Sequence, residues 1–243
     1  MKNYIIILLA AFSLLPSVYA QDTQKSGIPH IGDAAPSFTA NTTKGVINFP
    51  GDFSGKWKIL LSHPADFTPV CTSEILELSQ MQDEFEKLDV KLLVISTESV
   101  EMHRDWIKSM ESLRYKQRDT QKIRFPLIGD ESRAVSKLYG MIPDDSYTTK
   151  NVRGVYVIDP KNKVRSVSFY PMSVGRNMDE IKRLVIAIQQ TDKENIFTPA
   201  NWNPGDDVLI PHQTAEAETG EVSDESSPGT YKLAWYMFFK KSD

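Results

Sequence analysis

Cysteine is nearly absent from this chain, positive charge is not in excess, and long apolar stretches are missing beyond the first residues. One cysteine, Cys71, stands among 243 residues. That count excludes an internal disulfide framework and every multi-cysteine metal site. Twenty-eight Lys and Arg against 32 Asp and Glu leave a net charge of -4. The positive charge that a broad nucleic-acid binder uses to neutralise phosphates is therefore missing. Internal repeats are absent as well. What is present is ordinary for a globular protein. Hydrophobic residues at 40% and charged residues at 25% allow a sizeable core, in one large domain or one domain plus a small one.

The chain begins MKNYIIILLAAFSLLPSVYA. One lysine precedes an apolar run from Tyr4 to Leu15, and Val18 and Ala20 fit a cleavage site before Gln21. The run is shorter than a comfortable membrane span. Residues 1–20 thus read as a signal peptide, the protein as exported (periplasmic or secreted), and the mature chain as lacking a membrane span. Cleavage removes only Lys2 among the charges. Export sharpens the question of Cys71. Oxidising compartments favour paired cysteines, so an unpaired one is either a buried inert thiol or a reactive one.

Lys58–His63, Val90–Thr97, Gly154–Asp159 and Val164–Tyr170 read as strands, the second being an almost continuous apolar run suited to cover on both faces. Helical patterns occupy 72–88, 99–113, 131–139 and 177–190. The last is the cleanest, with Ile181, Leu184, Val185 and Ile188 on one stripe. Strands alternating with helices predict an α/β layer fold with a mixed sheet. After Asp192 the pattern breaks at Pro199, Pro204, Gly205 and Pro211. Residues 213–229 hold five acids and no aromatics, which predicts a mobile surface loop. The apolar run Tyr231–Phe239 predicts a strand of a small C-terminal module or an interface with another subunit.

The segment from Ser62 to Glu74, SHPADFTPVCTSE, leaves a strand and enters the first helix. Thr68 suits the N-cap and Pro69 the first helical position, where no amide donor is missed. Cys71 then sits in the first turn. Free N–H groups and the helix dipole favour negative charge there, which favours a thiolate and makes a nucleophile. The same pattern leaves open a Cys71 that is only a small buried hydrophobe.

Pro64-Ala-Asp-Phe-Thr68-Pro-Val-Cys71 resembles the P-x-x-x-T-x-x-C motif of peroxiredoxins, and HPADFTPVCTSE is similar to their one-cysteine, type-six subfamily. The similarity continues in FPLIGDESR (125–133), GVYVIDP (154–160), YPMSVGRNMDEI (170–181) and TPANWNPGDDVLIP (198–211). The resemblance implies a thioredoxin-like α/β fold over residues 21–196, with a mixed central sheet flanked by helices. It implies a small C-terminal extension over 197–243, associated with a homodimer. It also implies a thiol peroxidase that reduces hydrogen peroxide and alkyl hydroperoxides with no metal and no organic cofactor. Cys71 resembles the peroxidatic cysteine, Thr68 the hydroxyl that bonds thiolate and peroxide, and Pro64 the ring that shields the pocket. Arg153 is similar in position to the active-site arginine, Glu74 and Arg176 resemble the charges that orient it, and His63 matches the subfamily. Each has a plainer alternative: Thr68 as a cap only, Pro64 as a strand end, His63 as a structural histidine, Glu74 and Arg176 as an ion pair of the wall.

Attack on a peroxide leaves sulfenic acid on Cys71. No second cysteine exists to resolve it, so an external thiol or a thioredoxin-like protein must return it to the reduced state. A different class of reading is a peroxide-sensing or holdase-like scaffold with little turnover. A disulfide oxidoreductase would need a C-x-x-C pair, which the chain lacks. Some type-six relatives also carry a serine lipase element. Here Lys56 and Pro50 stand where its serine and histidine would be, and no phospholipase activity is expected.

Overall fold

The structure is a computed structural model and describes residues 27–143, 148–211 and 229–242. The expected signal peptide (1–20) and residues 213–228 of the expected acidic loop lie outside the described residues. In chain order the elements are β1 (Phe38–Thr42), β2 (Gly45–Phe49), β3 (Trp57–Ser62), α1 (Pro69–Lys87), β4 (Val90–Ser96), α2 (Val100–Met110), β5 (Leu127–Gly129), α3 (Ala134–Leu138), β6 (Arg153–Ile158), β7 (Val164–Tyr170), α4 (Met178–Lys193), β8 (Val208–Ile210), β9 (Thr230–Ala234) and β10 (Met237–Lys240).

A seven-stranded mixed sheet runs β2-β1-β5-β4-β3-β6-β7. Its centre is the β3–α1–β4 crossover. There β3 and β4 pair in parallel, with Ile59 opposite Leu92, and β6 joins antiparallel, with Leu61 opposite Val155. Every residue of β3 and β6 is buried. That burial on both faces explains the near-continuous apolar runs, because alternate side chains enter different cores. Ile59, Leu61 and Val94 pack with Ile75, Phe85, Trp106 and Val185 of the helices on one face. Leu60, Leu93 and Ile95 pack with Phe49, Tyr139 and Tyr156 on the other.

Strands β3 and β6 meet at a tight junction. The Ser62 hydroxyl at the end of β3 donates to the Val152 carbonyl at 2.6 Å and accepts from the Gly154 amide at 2.8 Å. A Cβ at Gly154 would stand 2.9 Å from that hydroxyl oxygen, so glycine lets β6 close on β3 here without displacing the Ser62 side chain. The side chain of Arg153 is thereby delivered to the end of β3, where α1 begins.

Three expectations are corrected. The sequence patterns missed the β1–β2 hairpin and the three-residue β5. Helix 131–139 shortens to α3, because Arg133 is left-handed (φ 63°) and the Asp130 carboxylate accepts from the Ser136 amide at 2.7 Å. The run Tyr231–Phe239 makes two strands, β9 and β10, which turn at Trp235-Tyr236 and join β8 in a three-stranded sheet. Trp202 and Val208 share a core with Ala187 of α4 and Ile196. Among the described residues no helix is long and apolar enough to cross a membrane.

Candidate active site

Pro69 is the first residue of α1, and Thr68 before it has an extended backbone (φ -109°, ψ 146°). Thr68 thus holds the N-cap position, and its carbonyl accepts the Thr72 amide at 2.9 Å. Its hydroxyl does not cap the helix; it donates to the Ala65 carbonyl at 2.9 Å. With that proton committed, the hydroxyl oxygen can receive a hydrogen bond from a third group. Phe67, the residue before, is left-handed (φ 53°) and exposed, a conformation that a non-glycine residue adopts only when its surroundings hold it there. Pro64 is buried in the same segment. Cys71 is the third residue of the helix and is fully buried.

Arg153, the first residue of β6, reaches the sulfur: its Nη1 lies 3.3 Å from Cys71 Sγ and 2.8 Å from Glu74 Oε2. Its other nitrogens are anchored on the Met172 carbonyl, Nε at 3.0 Å and Nη2 at 2.5 Å. Arg176 closes the far side of Glu74. Its backbone amide and Nε donate to Oε1 at 2.7 and 2.9 Å, and its Nη2 donates to Oε2 at 2.8 Å. Nη1 of Arg176 donates to the Ser62 and Gly154 carbonyls at 2.9 and 2.8 Å. The Glu74 carboxylate therefore accepts four hydrogen bonds, which saturates it. Two guanidiniums against one carboxylate leave one surplus positive charge in a buried site, which a Cys71 thiolate would balance. The structure thus brings Cys71, Glu74, Arg153 and Arg176 together, with Thr68 at the helix start three residues before the sulfur.

His63 is fully buried, and its ring lies 5.1 Å from Trp106 and 5.9 Å from His103. Burial pushes its titration well below the ordinary value of 6.5. His103, Arg176 and Arg153 add to this, and the Ala65 carbonyl opposes it. Among the described residues neither ring nitrogen has a hydrogen-bond partner, and Nε2 stands 3.6 Å from Asp66 Oδ1. The other oxygen, Oδ2, is bonded at 2.7 Å to Nδ1 of His103, whose Nε2 is 3.0 Å from the Ile128 carbonyl. Sequence reasoning missed Asp66 and His103. The available signal was a histidine on the buried stripe of α2, in step with Val100, Trp106 and Met110.

His63, Asp66 and His103 hold donor atoms within 4.8 Å of one another, the spacing a metal ion would need. The chemistry argues against one. Nδ1 of His103 is committed to Asp66, and two arginines already set an unfavourable field for positive charge at His63. Beside the helix start, a groove of about 470 Å³ is lined by Phe67, Thr68, Pro69, Trp106, Met110 and Tyr115, among others.

The AhpC/TSA family matches residues 31–167, and the C-terminal domain of 1-Cys peroxiredoxin matches residues 187–222. A peroxiredoxin of Methanosarcina mazei is 47% identical over 215 residues, covering 88% of this chain and 98% of that protein. The mitochondrial peroxiredoxin PRX1 of Saccharomyces cerevisiae is 42% identical over 204 residues, 80% of this chain and 77% of its own. The solved structure of a yeast mitochondrial 1-Cys peroxiredoxin, described for thiol resolution via glutathione and thioredoxin systems, superposes with a TM-score of 0.74 at 41% identity. It covers 88% of this chain and 100% of that one. A cysteine-to-serine variant of Peroxiredoxin 6 of Arenicola marina superposes with a TM-score of 0.76 at 30% identity, covering 89% and 99%.

Proposed function

The chain belongs to the AhpC/TSA family, as a peroxiredoxin with a single cysteine, and from that premise we infer how its residues divide the work of reducing a peroxide. It is a thiol peroxidase. The Cys71 thiolate attacks the hydroxyl oxygen of the hydroperoxide; an S–O bond forms as the O–O bond breaks. The departing alkoxide or hydroxide takes a proton from solvent, and Cys71 is left as sulfenic acid. An external thiol then attacks that sulfur, water leaves, and a second thiol releases Cys71 from the mixed disulfide.

The observation that carries this division is the Arg153 guanidinium, 3.3 Å from the sulfur and held by Glu74 and Met172 before any substrate arrives. Fixed donors aimed at developing charge in a dry site need no reorganisation when the reaction occurs. Arg153 stabilises the attacking sulfur and the departing oxygen, while Glu74 and Arg176 hold it in place. Thr68 receives the O–H of the peroxide, its own proton being given to Ala65. Pro64 keeps water from the sulfur. His63 stays neutral and serves the wall of the site. The groove beside Thr68 gives room for an organic tail. Peroxide consumption by the purified protein with an added thiol, set against Cys71→Ser, tests the assignment. The variant should be inactive, and the wild-type sulfur should gain one oxygen on a single turnover. Equal rates would remove the mechanism.

The finer biology extends the same reading. We assign export, with cleavage before Gln21, on the strength of the N-terminal pattern. N-terminal sequencing of the protein from an exported fraction should begin at Gln21. The reductant is a small thiol or a thioredoxin-like protein, in keeping with the systems described for the yeast relative. A homodimer in which the 197–243 extension takes part is supported by Leu233 and Tyr236, which are 68% and 65% exposed on the β9–β10 hairpin. Sedimentation of the mature chain should give twice the monomer mass.

A further inference from the structure

Residues 63–68 carry Pro64 and Thr68, yet the segment is short, irregular and includes the left-handed Phe67. Something must hold it in register with the sulfur. At its start the His63 amide donates to the Ile95 carbonyl at 3.0 Å, and at its end the Thr72 amide returns to Thr68. The Thr68 hydroxyl bonds within the segment, to Ala65. Among the described residues, one side-chain hydrogen bond ties 63–68 to another element: Asp66 Oδ2 to His103 Nδ1, at 2.7 Å. Both side chains are buried, at 2% and 0% exposure.

The protons on His103 follow from its partners. The Ile128 carbonyl only accepts, so Nε2 carries a hydrogen. The 2.7 Å contact between Nδ1 and Oδ2 likewise needs a proton, carried by one of the two atoms. The bond is short and shielded from water, which makes it one of the stronger links available to a loop. His103 itself is held at both ends, by α2 and by the Ile128 carbonyl of β5. We propose that Asp66 and His103 are positioning residues for the peroxidase reaction, a strut from α2 and β5 that sets where Pro64 and Thr68 stand over Cys71.

The strut touches neither sulfur nor peroxide, so it acts through where Pro64 and Thr68 stand and leaves the Arg153 contact with the sulfur in place. The proposal rests on the peroxidase reading, and two His103 variants test it against a purely structural role. In His103→Asn the side-chain amide falls near Nδ1 and keeps the bond to Asp66; in His103→Gln it falls near Nε2 and keeps only the bond to Ile128. Stopped-flow oxidation of Cys71 by hydrogen peroxide should slow about tenfold or more in His103→Gln, since small misplacements of a reacting geometry cost that much. His103→Asn should recover most of the loss. Asp66→Ala, which removes the bond from the loop side, should match His103→Gln, and the double variant Asp66→Ala/His103→Gln should be no slower than the slower single one. Alkylation of Cys71 by iodoacetamide, which has no O–O bond to align, should not slow in any of these variants.

Equal peroxide rates in His103→Gln and His103→Asn would overturn the proposal. So would a parallel loss of alkylation, or single losses that multiply in the double variant. If His103→Gln is not recovered folded, Asp66→Ala alone decides, by losing peroxide rate while keeping alkylation or failing to. A wild-type protein inert to peroxide would instead overturn the peroxidase reading, and this proposal with it.

Discussion

Glu74, Arg153 and Arg176 form a buried cluster in which both carboxylate oxygens are fully engaged, whereas His63, Asp66 and His103, equally buried, leave three polar atoms without partners among the described residues. The first cluster is a fixed mould. Its charges are desolvated and pinned to backbone carbonyls, so it can face a developing charge without rearranging. The second holds one shared proton and one neutral imidazole, all of it shut away from solvent. The difference shows that burial alone does not define an electrostatic site. One trio aims charge at the sulfur, and the other anchors the loop that faces it.

The comparison can be broken most forcibly at Glu74. Glu74→Ala leaves two buried guanidiniums without their anion, and the protein should lose about 3–5 kcal/mol of stability in urea denaturation. Wild-type stability in that variant would mean the arginines are solvated and the mould is not one. Next comes Arg153→Lys, which keeps the charge but loses the fork that spans Glu74 and the Met172 carbonyl. Its kcat/KM for hydrogen peroxide should fall about 10²–10³-fold in a thiol-coupled assay, with a smaller effect on melting. An unchanged value would reduce Arg153 to a counter-charge.

The second cluster should reveal itself through pH. His63 is held well below 6.5 in the folded state, chiefly by burial. As pH falls below 6.5, the unfolded chain binds a proton at His63 that the folded chain refuses, so stability is lost toward acid. The slope should approach about 1.4 kcal/mol per pH unit in that window. His63→Gln should flatten this part of the stability profile; an unaltered slope would mean that His63 titrates freely in the native state. The smallest effect belongs to a control. Lys56 and Asp89 lie 2.7 Å apart, as close as Arg153 and Glu74, but at 46% and 55% exposure. Lys56→Ala should therefore change stability by at most about 1 kcal/mol.

Much of the fold and the site is legible in the sequence, and the limits have physical causes. The helix start is readable because Thr68 and Pro69 carry local chemistry: one suits a cap and the other cannot donate. The returning strand Val164–Tyr170 is readable from its alternation. β1 and β2 escape because Thr39, Asn41, Val46 and Asn48 stand on an exposed edge hairpin where apolar alternation is weak. β5 escapes because three residues carry no period at all. At the site, Cys71, Thr68 and Pro64 announce themselves by motif, while Arg153 is indicated only by its place before a strand. Its contact with sulfur depends on β3–β6 register, which spacing cannot encode. Asp66 and His103 go unnoticed because they lie 37 residues apart and meet only when α2 folds over the loop.

Gly154 bears on how this protein tolerates change. It has no side chain to take part in chemistry, yet a Cβ on it would stand 2.9 Å from the Ser62 hydroxyl, which would have to shift. An alanine there would press on the Ser62 hydroxyl and its bonds to the Val152 carbonyl and the Gly154 amide, and so strain the junction beside Arg153 from a position that never meets a peroxide. The catalytic inventory therefore includes an empty space, and substitutions that fill it should rank with those that remove a functional group.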